Sequence, residues 1–79
     1  MLHTLGVDVS TTDAKQLIHR LKRLVCVRDA WIHGVYHQDV SICQVHVEVE
    51  GRDVDWLDSW LWRVNHGCDY YGVFTVKEV

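Results

Sequence analysis

Histidine and cysteine are the residue types that best equip this chain for metal chemistry, with six histidines and three cysteines. His33 and His37 share one side of a predicted strand, and His46 lies on the next strand. His66 and Cys68 form a second closely spaced pair. A zinc site needs three or four ligands at about 2.0–2.3 Å. Neither place supplies such a set, so we predict no metal site and expect the strand histidines to face solvent. A pH-sensitive surface is an alternative use of these histidines.

Nucleophilic chemistry has one candidate, the hydroxyl run Ser10-Thr11-Thr12. A serine or threonine nucleophile needs an adjacent general base, and none is evident beside this run. Ser10 or Thr11 can instead cap a following helix, and Ser10-x-x-Asp13 resembles a capping box with a shorter acid. Because capping explains these hydroxyls fully, we predict that the protein is not an enzyme.

Tryptophan is concentrated in "DVDWLDSWLWRV", residues 53–64, which holds three of the four tryptophans in the chain. Its apolar spacing predicts a helix, in which successive residues are about 100° apart. With Leu57 at the centre of the buried face, Trp60 lies within about 60° and is expected in the core. Trp56 lies about 100° away at the flank, and Trp62 lies about 140° away on the solvent side.

The solvent-side position of Trp62 indicates a binding role. Tryptophan buries a large rigid surface at small entropic cost and is enriched among interface hot spots. We predict that Trp62 anchors a protein partner, with Trp56 nearby and the acidic residues Asp55, Asp58 and Asp69 as a polar rim. The alternative is that Trp62 folds back over a loop or is a single exposed hydrophobic residue, which is common on surfaces.

Strands and a first helix must position these residues. Alternation predicts a strand in "LHTLGVDV", and a period of three to four residues predicts a helix in "STTDAKQLIHRLKRLV". The apolar face of that helix comprises Ala14, Leu17, Ile18, Leu21, Leu24 and Val25. Two strands, "DAWIHGVYH" and "VSICQVHVEVE", flank a short turn at Gln38-Asp39. In the second of these strands the valines share one side. In the first strand neither side is plainly apolar, so the sequence does not decide which side faces the core.

The order of elements predicts the fold. The tryptophan-rich helix is expected to stop at Gly67, and "DYYGVFTVKEV" has the alternation of a last strand. The order β-α-β-β-α-β, with right-handed crossovers, places both helices on one face of a four-stranded antiparallel sheet, in the strand order 4-1-3-2. This architecture resembles the ferredoxin-like fold over essentially the whole chain. We therefore predict one α+β domain over residues 1–79.

The sheet face opposite the helices is a second candidate binding surface. Residues expected there are His46, Gln44, Tyr71 and either Trp31 or Tyr36. RNA-recognition domains resemble this architecture and carry stacking aromatic residues on that face. The motif K/R-G-F/Y-G/A-F-V-x-F/Y is absent, however, and Glu48 and Glu50 would repel phosphate. Acylphosphatases and copper-chaperone domains are similar in fold, but the loop "DVSTTDAK" lacks the arginine of the former and the M-x-C-x-x-C of the latter.

Composition and charge narrow the functional classes further. The chain has 79 residues and a net charge of -3, so a polyanion is not its default partner. Three widely spaced cysteines, Cys26, Cys43 and Cys68, predict free thiols in a reducing cytoplasm. We find no charged-then-apolar leader and no apolar run near the ~20 residues of a membrane helix, so we expect neither a signal peptide nor a membrane span.

These observations together favour a protein that acts by occupying a surface. We predict a small cytoplasmic protein-binding module without a cofactor. Inhibitors and adaptors that phages and mobile elements encode against host complexes, anti-CRISPR proteins among them, are similar in size and in lacking a catalytic motif. The alternatives are RNA or single-stranded DNA binding through the open sheet face, and a homodimer paired through the edge strand "YYGVFTV".

Overall fold

The sheet and the two helices follow the predicted order along the chain. The computed structural model describes residues 1–64 and 70–78, with side chains described for 1–63 and 72–76. The strands are β1 (Leu2–Ser10), β2 (Val27–Val35), β3 (Ile42–Glu50) and β4 (Tyr70–Glu78). The helices are α1 (Ala14–Lys22) and α2 (Val54–Val64), each preceded by a 3-10 turn, Thr11–Asp13 or Gly51–Asp53. The sheet order β2-β3-β1-β4 is antiparallel throughout. The predicted ferredoxin-like α+β architecture and strand order are confirmed.

The hydrophobic core lies between the two central strands and both helices. Each central strand alternates, so one of its sides is apolar and fully buried. The largest fully buried side chains include Val7, Val9, Val45, Val47 and Val49 from the sheet and Leu17, Leu21, Leu57 and Leu61 from the helices. Both helices therefore cover the same face of the sheet. We call the opposite face the open face.

A β-bulge at His33 decides which way β2 faces. The register of β2 against β3 shifts between Ile32 and Gly34, so His33 is the extra residue, and an earlier shift lies at Arg28, between Val27 and Asp29. Before the bulge, Ala30 faces the helices and Trp31 lies on the open face, paired with His46. After the bulge the alternation is reversed, and Gly34 lies on the open face. A bulge opposes two residues to one and so breaks the period of two, which is why the sequence pattern left this strand unassigned.

Helix α1 is shorter than its apolar pattern predicted. It ends at Lys22, and the next turn tightens: the amide of Leu24 donates to the carbonyl of Leu21 at 3.0 Å. Hydrogen bonds between residues three apart wind the chain more tightly than the bonds of an α-helix do. Val25, expected on the buried face of α1, is consequently fully exposed, which corrects that prediction.

The hydroxyl run does not form the predicted capping box. Neither Ser10 nor Asp13 makes a side-chain cap hydrogen bond within the described part of the chain. The hydroxyls of Ser10 and Thr12 instead bond to each other at 2.9 Å, and Thr11 Oγ1 donates to the carbonyl of Val40 at 2.7 Å. The hydroxyls thus attach the start of the first helical segment to the β2–β3 connection.

The connection between β2 and β3 is also longer than expected. It spans residues 36–41 rather than only Gln38-Asp39. The amide of Ile42 donates to the carbonyl of Asp39 at 3.1 Å, and the amide of Tyr36 donates to the carbonyl of Ile42 at 3.2 Å. The predicted helix stop at Gly67 lies outside the described residues.

Replacement of Leu57 by alanine tests this packing. We expect Leu57→Ala to lower the free energy of unfolding by about 3 kcal/mol, because it opens a cavity in a fully buried site. Trp62→Ala removes a larger side chain from the outer side of the same helix and should cost about 1 kcal/mol or less. Urea denaturation followed by circular dichroism measures both values. Equal losses would contradict the assigned orientation of α2.

Candidate functional site

The outer side of α2 exposes two of its three tryptophans. Trp56 is 52% exposed and Trp62 is 50% exposed, whereas Leu57 and Leu61 on the inner side are fully buried. Trp60 is half-buried and packs against the core. The inner side predicted by the helical wheel is therefore confirmed, although Trp60, expected in the core, is only partly buried, and Trp56, expected at the flank, is as exposed as Trp62. The binding role assigned to Trp62 stays a prediction.

The residues predicted for the binding surface lie on two different flanks of α2. Asp55, Asp58 and Trp62 are spaced i, i+3 and i+7, which places them along one stripe of a helix. Asp55 and Asp58 also line a groove between α2 and β4. Trp56 lies on the other flank, where it lines a small cleft with Arg63. Asp69, the remaining rim residue, lies outside the described residues.

The flank that carries Trp56 borders a pocket of about 370 Å³ at the end of α1. Its lining residues are Arg23, Leu24, Val25, Cys26, Asp53 and Trp56. Burial, and secondarily the charge of Asp53, raises the pKa of the Cys26 thiol. A raised pKa keeps the sulfur protonated at neutral pH, and the thiol is a poor nucleophile.

The open face carries a stack of aromatic rings around His46. The rings of His33 and His46 are nearly parallel, 5° apart, with centroids separated by 4.2 Å. Trp31 meets His46 edge-on at 5.9 Å. His46 is consequently only 7% exposed, although it lies on the face without helices. The expectation that the strand histidines face solvent is wrong for His46, because its neighbours on β2 cover it.

A chain of hydrogen bonds fixes the orientation of the central side chains on the open face. His46 Nε2 and Gln44 Oε1 are 2.6 Å apart. Gln44 Nε2 donates to the Tyr36 hydroxyl at 3.0 Å, and that hydroxyl donates to Asp8 Oδ1 at 2.6 Å. Since the amide oxygen of Gln44 can only accept, His46 carries its proton on Nε2. All donors in this polar chain therefore point toward the Asp8 carboxylate.

The polar chain and the ring stack shift two pKa values. The hydrogen bond to Asp8 and burial raise the pKa of Tyr36. Burial, and secondarily the charge of His33, lowers the pKa of His46. Both groups are consequently neutral at pH 7. The rings of Tyr36 and His46 therefore carry no charge on the open face.

Phe74 extends the aromatic surface across β1 to the edge strand β4. Gly6 and Phe74 are paired in register, and a Cβ atom at Gly6 would lie 2.5 Å from the ring atoms Cε2 and Cζ of Phe74. The ring therefore lies directly on the glycine backbone. An aromatic side chain that covers a cross-strand glycine in this way compensates for the missing side chain.

Among the described residues, no three His, Cys, Asp or Glu side chains are grouped so that they could hold a metal ion. No described helix has the length and apolar character needed to cross a membrane. No known protein family, curated protein or solved structure matches the chain.

Sequence reasoning found part of the open face and missed the rest. Gln44 and His46 are where the sequence placed them, and both Trp31 and Tyr36 lie there, although only one of them was expected. The side chain of Tyr71 lies outside the described side chains. Asp8 was missed as the acceptor of the polar chain. Its position on the polar side of the first strand was the only available signal.

The lowered pKa of His46 predicts a pH dependence of stability. The unfolded chain binds this proton more readily than the folded one, so the free energy of unfolding should fall as the pH drops below about 6.5. A tenfold difference in proton affinity corresponds to about 1.4 kcal/mol. Urea denaturation at about pH 7.5 and about pH 5.5, either side of the histidine range, measures this loss. His46→Gln should reduce it, and His19→Gln, on the exposed side of α1, should retain it. If His46→Gln lost as much unfolding free energy between the two pH values as the wild type does, the pH dependence could not be assigned to His46.

Replacement of Gly6 by alanine tests the contact between the Phe74 ring and the Gly6 backbone. Gly6→Ala should displace the Phe74 ring and lower the free energy of unfolding by about 1–3 kcal/mol, as overpacking does. The matched control is Gly72→Ala, whose Cβ would meet only Asp8 Oδ2 at an ordinary 3.8 Å. Thermal unfolding and the NMR shifts of the Phe74 ring report the two effects. Unmoved ring signals in Gly6→Ala would refute the contact.

Proposed function

We propose that this protein is a small non-enzymatic protein-binding module that acts by covering part of the surface of a protein partner. One observation carries the proposal. Trp56 and Trp62 each expose about half of their surface, 52% and 50%, on a helix whose inner side is anchored by fully buried leucines. A rigid helix that presents two large aromatic side chains has the anchors typical of protein interfaces.

Trp56 and Trp62 lie on different flanks of α2, about 120° apart around the helix, so a partner would span the outer side between them. Trp56, Ser59 and Trp62 are spaced i, i+3 and i+6, and the small, exposed Ser59 lies between the two tryptophans. A helix of 11 residues is about 16 Å long at about 1.5 Å per residue. Such a surface fits a groove or a flat patch on a folded partner better than an extended strand.

The charges beside the tryptophans indicate how the partner would be oriented. Asp55 and Asp58 lie on the stripe of Trp62, and Arg63 lies beside Trp56. A complementary partner would place a cation near Trp62 and an anion near Trp56. Charge complementarity of this kind mainly steers encounter and selects partners.

The role we propose is that of a cytoplasmic inhibitor or adaptor, as phages and mobile elements encode against host complexes, with an anti-CRISPR-like action by occlusion. The free thiols of Cys26 and Cys43 support a reducing compartment. Cys68 lies outside the described residues. The two half-exposed tryptophans on a helix anchored to the core support occlusion as the mode of action.

Affinity capture from lysate of the native host tests this function. Wild-type protein should retain a stoichiometric protein complex, and Trp62→Ala or Trp56→Ala should weaken binding to the purified partner by about 2 kcal/mol or more. The reason is that truncation removes the rigid area that the partner covers. Isothermal titration calorimetry measures the affinity, and thermal unfolding confirms that each variant is folded.

The control variant is Val40→Ala, which shortens an exposed hydrophobic residue in the β2–β3 connection, far along the chain from α2. It should bind as the wild type does. Equal affinity of all three variants would reject α2 as the contact surface. Capture of nuclease-sensitive nucleic acid instead of protein would favour the open face. Dimers seen by light scattering would favour pairing through β4.

A further inference from the structure

A cleft of about 380 Å³ lies on the open face near the end of β2. Its lining includes three ring side chains and two side-chain amides, contributed by His33, Tyr36, His37, Gln38 and Gln44. Rings bind flat ligands by stacking, and amides donate and accept hydrogen bonds at the edges of such ligands. The lining therefore favours a planar ligand with polar edges.

Gly34 leaves the middle of this cleft open. It lies on the open face opposite Gln44, and a Cβ atom at Gly34 would meet no described atom within 4 Å. Its φ of 157° is a backbone conformation that residues with side chains rarely adopt. The bulged strand thus favours glycine at this position, and the space between His33 and Tyr36 is not filled by a side chain.

The ring of His33 offers a stacking surface that is already held in place. One of its faces lies against His46, with 4.2 Å between the ring centroids and 5° between the ring planes. His33 is exposed and lines the cleft, so the other face of its ring is available to a ligand. A flat ligand on that face would extend the stack by one ring.

The amide of Gln44 is held in one orientation. Its oxygen accepts from His46 Nε2 at 2.6 Å, and its nitrogen donates to the Tyr36 hydroxyl at 3.0 Å. Reversal of the amide would set its oxygen against a hydroxyl whose proton is directed to Asp8. A side-chain amide has two N–H donors and two acceptor lone pairs. Gln44 therefore retains one donor and one acceptor for a ligand, in fixed positions.

We propose that this cleft binds an adenine ring, stacked on His33 and hydrogen-bonded at its edge to Gln44. Adenine is planar and carries an amino donor beside a ring-nitrogen acceptor, a pair that a glutamine amide binds with two hydrogen bonds. Hypoxanthine has nearly the same shape but carries an oxygen in place of the amino group. An amide of fixed orientation would set its acceptor against that oxygen, so the site selects adenine.

Adenine is available to a protein as a free nucleoside or as an unpaired base of a nucleic acid strand. Binding of a strand depends on lysine and arginine side chains that contact its phosphates. Among the residues that line the cleft there is neither lysine nor arginine. A strand would also bring phosphate near the Asp8 carboxylate at the end of the polar chain. The expected ligand is therefore the uncharged nucleoside.

The adenine site goes beyond the proposed function. It lies on the open face, whereas α2 lies on the other side of the sheet. Substitutions in the cleft therefore leave the outer side of α2 intact, and substitutions on α2 leave the cleft intact. Failure of one proposal does not decide the other.

Nucleoside titration followed by NMR tests the site. Adenosine should shift the signals of the His33 and Tyr36 rings and of the Gln44 side-chain amide. It should bind about five-fold or more tightly than inosine, because inosine leaves hydrogen-bonding groups of the site unpaired. His33→Ala should weaken adenosine binding about five-fold or more, because it removes the stacking surface. His33→Phe retains a ring and should bind adenosine nearly as the wild type does.

Replacement of Tyr36 by phenylalanine tests whether this residue positions the amide. Tyr36→Phe removes the hydroxyl that accepts from Gln44 but keeps the ring. Adenosine should still bind, and its preference over inosine should fall, because the amide is free to reverse. Equal weakening of both nucleosides would contradict the positioning role.

The matched control is His19→Ala, which removes an exposed histidine from α1 and should bind adenosine as the wild type does. Thermal unfolding shows that each variant is folded. No signal shift at millimolar adenosine, equal affinity for adenosine and inosine, or equal weakening by His33→Ala and His19→Ala would overturn the proposal. A short oligodeoxyadenylate that binds more tightly than adenosine would assign the adenine to a nucleic acid strand, and equal or weaker binding would assign it to a nucleoside.

Discussion

The structure depends on one constraint, which is that two helices cover only one face of a four-stranded sheet. The central strands turn their valines toward leucines of both helices, and these side chains are fully buried. Burial of each such side chain contributes roughly 1.5–3 kcal/mol relative to exposure. Side chains on the other face contact one another and solvent, as is common for an antiparallel sheet. Both candidate surfaces follow from this asymmetry, one on the open face and the other on the outer side of the helical layer.

The side chains at the centre of the open face are held in place by one another. At its centre, His46 is covered by two rings from β2 and its proton is directed into the polar chain that ends at Asp8. A satisfied network of this kind rigidifies the side chains that it joins. Toward one end, Glu48 and Asp29 oppose each other in register. Asp29 is also held there, because its Oδ1 accepts from the amide of Ala30 at 2.8 Å and lies 3.9 Å from Lys22.

The sequence predicts which side of helix α2 faces the core, but it does not predict which residues of other elements lie beside the helix. The positions of Leu57, Trp56 and Trp62 follow from about 100° per residue, which is a property of the helical backbone alone. The pocket beside Trp56 depends on the early end of α1 and on the outward position of Val25. The apolar pattern of α1 gave no sign of this end, because the pattern continues past the last helical residue.

The sequence by itself determined the order of elements, the buried side of β1 and β3, and the inner side of α2. These follow from periods of two and 3.6 residues, which the local backbone geometry imposes. Only the tertiary structure decided the facing of β2, because the bulge at His33 exists only in register with β3. It also decided the burial of His46 and its link to Asp8, which join residues far apart in the chain. Contacts of this kind depend on strand pairing, and a local period carries no information about which residues become partners.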